Sequence, residues 1–138
     1  MRVDFEWKKP TPQIAKEIIN SDVQLFMANE AKRLMDPYVP ARNLMLAQNV
    51  SIYAEDDEGI VHYRSPYAHY QYKGVLYVSS ITGSAFASSG EYKVPTSRKL
   101  EYSKFRHPLA TSQWDKAMVT ARGDDLTAAV QRFIKRGN

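Results

Sequence analysis

Between Gln13 and Met35 the chain has neither Gly nor Pro, and its apolar residues recur at helical spacing. Ala15, Ile19, Val23, Phe26, Met27 and Leu34 fall on one broad face, with Ile14, Ile18 and Leu25 on an adjoining one, which predicts an amphipathic helix. Thr11-Pro12 starts it, with Thr11 as cap and Pro12 at the first helical position, where a missing N–H does no harm. So wide an apolar surface needs cover on more than one side, from the rest of the domain or in part from a neighbouring subunit. Ahead of the helix, residues 1–12 with Phe5, Trp7, Pro10 and Pro12 read as an arm or edge strand. Asp36-Pro37-Tyr38-Val39-Pro40 closes the helix in a stiff extended corner.

Residues 41–48 fit a loop or a single helical turn. Val50, Ile52 and Ala54 then alternate with polar or amphipathic neighbours, and Ile60 to Tyr63 returns after the acidic turn Asp56-Asp57-Glu58-Gly59, which predicts a hairpin. It feeds into Tyr63-Arg64-Ser65-Pro66-Tyr67-Ala68-His69-Tyr70-Gln71-Tyr72-Lys73-Gly74, a stretch holding four of the nine tyrosines. Pro66 stops the strand, Tyr67, Tyr70 and Gln71 have helical spacing, and Gly74 suits a left-handed stop before a strand at Val75 to Val78. This is a tyrosine-rich corner that fastens hairpin to sheet, with Tyr67 as its anchor and its outer tyrosines available to a subunit contact.

Ser79 to Gly90 carries two glycines and five serines, too little bulk for a core. It is either a loop that orders on assembly or a plain hairpin loop. Glu91 to Val94 and Lys99 to Ser103 fit the strands of an arm around Pro95. Beyond His107-Pro108, Ser112 and Asp115 resemble a capping box. Trp114, Ala117, Met118 and Ala121 share one helical face, and Leu126, Ala129, Val130, Phe133 and Ile134 share the next, with Gly123-Asp124 between them. That predicts two helices or one kinked helix. The elements amount to an α+β fold: a long N-terminal helix and C-terminal helices packed on a small, mainly antiparallel sheet with a flexible β-hairpin arm. The 138 residues make one domain, 1–138, with 1–12 an N-terminal arm and 79–106 a mobile loop and arm.

Composition narrows the chemistry. No cysteine is present, which excludes thiol catalysis and thiolate metal sites. Met1 to Pro10 has no apolar run, so neither a signal peptide nor a membrane span is expected, and synthesis in a cytoplasm follows. Nineteen basic against 15 acidic residues leave a net charge of +4, too mild to identify a nucleic-acid binder by its sum. His62, His69 and His107 are the only histidines. Without a Gly-x-Ser-x-Gly motif, a phosphate loop or metal-ligand spacing, neither an enzyme nor a cofactor or metal site is expected.

What remains is a binding signal. Lys93, Arg98, Lys99, Lys104 and Arg106 interleave with Tyr92, Tyr102 and Phe105. Such a segment suits the rim of a protein interface, or else, across 92–106, a small basic nucleic-acid-binding module. The candidate contact residues are Tyr70 and Tyr72 on the corner, Phe86 in the loop, and Tyr92, Arg98, Lys99, Tyr102, Lys104 and Arg106 on the arm.

The order of signals resembles a known family. Tyr38-Val39-Pro40 after a long helix, Gly59-Ile60-Val61-His62-Tyr63, the run Ser65 to Gly74, and His107-Pro108-Leu109-Ala110 followed by Trp114 together are similar to the minor capsid proteins of tailed phages of Gram-positive bacteria. These are relatives of head-to-tail connector and tail-completion proteins. The resemblance covers roughly residues 11–135. It departs from the family at Asn43-Leu44, where a glycine is usual, and at Thr111, which replaces another. It implies a non-enzymatic structural protein at the virion neck, working as a homo-oligomeric ring in head-tail joining or tail completion. Its partners would be copies of itself and other neck, portal-adaptor or tail proteins, with no cofactor, no membrane and at most passive proximity to DNA.

Overall fold

In a computed structural model of the chain, residues 1–5, 21–41 and 45–136 are described. Strand β1 (Arg2–Phe5) leads to helix α1 (Ser21–Met35) and a short 3-10 turn at Asp36–Tyr38. Helix α2 (Met45–Gln48), the strands β2 (Val50–Glu55) and β3 (Glu58–Tyr63), and helix α3 (Ala68–Lys73) follow. Strands β4 (Val75–Ser79) and β5 (Lys93–Lys99) precede the long helix α4 (Trp114–Arg136). The α+β class is as the sequence predicts. The predicted helix start at Thr11-Pro12 and most of the N-terminal arm lie outside the described residues, but Arg2–Phe5 does form an edge strand.

The main sheet is antiparallel in the order β1-β3-β2. Val3, Val61 and Ile52 stand in one row across its three strands, and α1 lies over that face. The buried residues of α1, Val23, Gln24, Met27, Ala28, Ala31, Leu34 and Met35, repeat at helical spacing as the amphipathic pattern requires. One side of this stripe meets the sheet. The other meets α4, where Phe26 stacks on Phe133 with centroids 4.3 Å apart. The cover that so broad an apolar helix needs therefore comes, over the described part, from the same chain.

The turn of the first hairpin is shorter than predicted. Asp56 and Asp57, with φ of +49° and +64°, form it alone, both in the left-handed region that a two-residue hairpin loop requires. Aspartate tolerates that region because its short side chain can bond its own backbone. Gly59 belongs to β3 instead, opposite Phe5 and Ala54. A Cβ there would sit 2.4 Å from the Gln24 carbonyl oxygen and 3.1 Å from Ala28 Cβ. Gly59 thus lets the sheet backbone come close to the helix backbone at Gln24, and Ala28 and Ala31, both fully buried, make the same approach possible from the helix.

The C-terminal segment is a single helix through Gly123 and is not split into two, the first of the alternatives the sequence allowed. A glycine inside a helix costs only about 1 kcal/mol relative to alanine, which the burial of Trp114, Met118, Leu126, Ala129 and Val130 readily outweighs. Ser112 does not complete a capping box. The chain turns at Gln113, with φ +48°, whose carbonyl accepts from the Lys116 and Ala117 amides. Asp115 bonds elsewhere. Trp114 is fully buried and meets Tyr63 edge-on at 5.5 Å and Tyr72 at 5.1 Å. Burial, and secondarily the nearby Asp36 carboxylate, push the ionisation of Tyr63 far upward.

Candidate assembly interface

The corner after β3 is built from its tyrosines inward. Tyr63 is wholly buried, Ala68 likewise, while Tyr67 is 64% exposed. The expected anchor is therefore not Tyr67. Ala68 fills the core at the start of α3, and Tyr67 at the cap position points away from it. Gly74 ends α3 with φ +75°, its amide donating to the Tyr70 carbonyl, the left-handed stop that glycine favours.

A helix end leaves carbonyls without intrahelical donors, and at this one three carbonyls find distant donors. Tyr102 Oη donates to Gln71 O at 2.6 Å, the Gln113 amide to Tyr72 O at 3.1 Å and the Leu100 amide to Gly74 O at 3.0 Å. Two segments, one carrying Leu100 and Tyr102 and the other Gln113, are tied to one turn of helix. Tyr72 completes the tie by donating its hydroxyl to Asp115 at 2.8 Å. Its own ionisation is pushed up to about 12 by burial and by that carboxylate.

Two pieces of the resemblance meet nearby. His107 Nδ1 lies 2.7 Å from the Val39 carbonyl, so that nitrogen carries the proton, and the Thr111 amide donates to Tyr38 O. The run 107–111 is thereby fastened to the Tyr38-Val39-Pro40 corner. His62 stands on β3 opposite Arg2 and Ser51, and His69 packs edge-on against Tyr70 and Tyr77. The histidines occupy three separate surroundings. Among the described residues no group of three or more His, Asp or Glu is placed to hold a metal ion, and no helix among them is long and apolar enough to cross a membrane.

Strands β4 and β5 form a separate two-stranded antiparallel hairpin. Its strand is one piece, Lys93–Lys99, running through Pro95, where two pieces around Pro95 were expected. Proline is tolerated because β5 is an edge strand. The ladder is interrupted between Val75 and Tyr77, and there the Thr96 hydroxyl donates to the Leu76 carbonyl at 2.6 Å, restoring a lost bond. At its root the hairpin leans on α3. Tyr70 and Tyr77 meet edge-on at 4.9 Å, and Lys93 Nζ sits 4.9 Å from the Tyr70 ring centroid, an arrangement worth roughly 0.5–1 kcal/mol at a surface.

At the tip, residues 80–92 are shaped by one buried hydroxyl. Ser79 Oγ donates to Glu91 at 2.7 Å and accepts from the Ile81 and Thr82 amides. The Ser88 amide also donates to Glu91, and these donors hold its carboxyl below the usual range. Serine-rich composition thus becomes a hydrogen-bonded scaffold. It carries Ile81, Phe86 and Tyr92 outward, at 73%, 78% and 70% exposure.

The candidate contact residues divide accordingly. Phe86, Tyr92, Arg98, Lys99 and Arg106 are exposed on the arm and the segment that follows it. Tyr70 is half-buried at the hairpin root, and Tyr72 and Tyr102 turn inward to bond Asp115 and Gln71. Lys104 is exposed but donates to the Ala110 carbonyl. Ile81, Phe105 at 90% exposure and Leu109 at 54% belong with the exposed set. An isolated large apolar residue among small polar ones is the signal that could have singled out Ile81.

The family model described as "Minor capsid protein" matches residues 1–137. No curated protein and no solved structure matches the chain. With the match spanning nearly every residue, including the corner, the 107–111 tether and the arm, the chain belongs to the minor capsid protein family of phages and is a structural component of the virion.

Proposed function

We propose that this minor capsid protein is a non-enzymatic neck component, joining head to tail as a ring of identical subunits whose arms engage their neighbours. The observation that carries this reading is the tip of the hairpin. Three large apolar side chains stand in solvent on a scaffold whose hydrogen bonds hold them there. Burying each would contribute roughly 1.5–3 kcal/mol, so the arm is built to be covered by protein. Arg98, Lys99 and Arg106 complement acidic surfaces on copies of the chain or on portal-adaptor and tail proteins. DNA passes without being gripped, since Lys93 and Lys104 are already engaged within the chain.

Native mass spectrometry of the protein, alone and co-expressed with its virion neighbours, tests this. A defined high-order oligomer or neck particle, with little affinity for duplex DNA, is the expected result. A strict monomer that joins no particle, or DNA binding that falls steeply with salt and depends on Arg98, Lys99 and Arg106, overturns it.

A further inference from the structure

The hairpin has an apolar tip, and beside its root lies an apolar groove. The groove has a volume of about 400 Å³ and is lined, among the described residues, by Pro40, Leu46, Pro66, Tyr67, Leu100 and Tyr102 together with polar neighbours. Glu101 is the one charged residue among the described lining. Its size is that of a site which takes one or two large side chains, at the lower end of the range for ligand pockets. Tyr67, the exposed start of α3, forms one wall and bears no core load.

Tip and groove match in chemistry. From Ser80 to Tyr92 the only charged residue is Glu91, whose carboxylate is already taken up by Ser79 and Ser88. The tip therefore brings no bare charge of its own into the groove, where an unpaired one would make burial costly. Within one chain the two do not meet. Leu100 and Tyr102 follow directly on Lys99, which pairs with Val75 at the root of the hairpin. The tip lies beyond Ser79, at the far end of the paired strands. At ~3.3 Å per residue the five residues of β4 hold tip and root roughly 15 Å apart, and strand pairing keeps the arm from folding back.

We infer that the occupant of the groove is the arm of a second copy, with Phe86 of one subunit seated between Pro66, Tyr67 and Leu100 of the next. This rests on the ring reading above and specifies its contact. The two surfaces differ, so the contact is heterologous: it repeats around an axis and closes a ring when the rotation closes.

A complementation experiment tests it. Phe86→Asp destroys the tip and leaves the groove; Tyr67→Asp destroys the groove and leaves the tip. Each variant alone is expected to lose assembly by roughly thirtyfold or more, the loss typical of an aromatic hot spot. Mixed, they retain one good tip and one good groove, and native mass spectrometry should show a dimer that grows no further. Because the chain has no cysteine, Ala85→Cys and Ser103→Cys proteins, which both keep Phe86 and Tyr67, mixed with a short bismaleimide report the contact even if an aspartate variant misfolds. A covalent pair between the two supports it. Assembly that survives both aspartate variants, or an assembled mixture without the cross-link, overturns this contact and leaves the ring reading standing. A wild-type chain that is monomeric both alone and with its virion partners overturns the two together.

Discussion

Tyr63 and Phe86 show how differently the two halves of this molecule use an aromatic ring. In the body, Tyr63 is wholly buried and meets Trp114 edge-on at 5.5 Å, inside a layer of helices α1 and α4 on a three-stranded sheet. On the arm, Phe86 is 78% exposed, held outward by a loop whose only buried polar group is Ser79. The body is stabilised by apolar burial, and its hydrogen bonds mainly fix where the corner sits. The arm is shaped almost wholly by hydrogen bonds, and its apolar residues are left uncovered. An element organised this way gains little stability from its own large side chains, so those side chains serve something outside the fold.

Substitutions should separate the two halves by the size of their effect on stability. Trp114→Ala removes the ring that joins Tyr63, Tyr72 and α4, and should cost about 3–5 kcal/mol in denaturant unfolding. A loss under about 1 kcal/mol would mean that Trp114 is not the centre of the body. Gly59→Ala puts a methyl against the Gln24 carbonyl at 2.4 Å. It should cost about 1–3 kcal/mol through overpacking, whereas alanine at Gly83, where no atom lies within 4 Å, meets no clash and is strained only by its φ of +74°.

Tyr72→Phe, at the junction of body and arm, should cost about 1 kcal/mol by leaving Asp115 without its donor. It also tests a pH effect. The Tyr72 phenol ionises near 10.0 when unfolded and is pushed up to about 12 in the fold. The folded state then binds the proton more tightly, so this contribution is fully present below pH 10 and is lost as pH rises through 12. Urea midpoints compared at pH 8 and pH 11 should fall less in Tyr72→Phe than in the wild type. The smallest effect on stability belongs to Phe86→Asp, expected within about 0.5 kcal/mol of wild type. Should its melting temperature fall as far as that of Trp114→Ala, the arm and the body would be one cooperative core and the contrast between them would fail.

Much of the body was legible in the sequence because its period matches its burial. The stripe from Val23 to Met35 on α1 follows from one face being wet and the other dry, and the apolar Val50 and Ile52 of β2 do pack against the core. Gly74 as a left-handed stop was legible too, since few other residues accept that backbone. The corner's anchor was not. Tyr67 and Tyr72 look alike in sequence, and only the approach of α4, with Asp115 facing the corner, turns Tyr72 inward while Tyr67 stays outside. The candidate contact residues were mixed for the same reason. Nothing local distinguishes Tyr92, which is exposed, from Tyr102, whose hydroxyl is drawn to a helix-end carbonyl.

By itself, then, the sequence determined the α+β class, the helical and strand periods, the hairpin and the family. These rest on local rules: side-chain period, backbone restrictions of Pro and Gly, and residue types in a fixed order. Only the tertiary structure decided that Gly59 is a contact point and no turn residue, that α4 runs unbroken through Gly123, and which tyrosines face solvent. Each of these depends on what packs alongside. A backbone conformation that costs about 1 kcal/mol locally is adopted when distant burial returns more, and no window of neighbouring residues contains that distant partner.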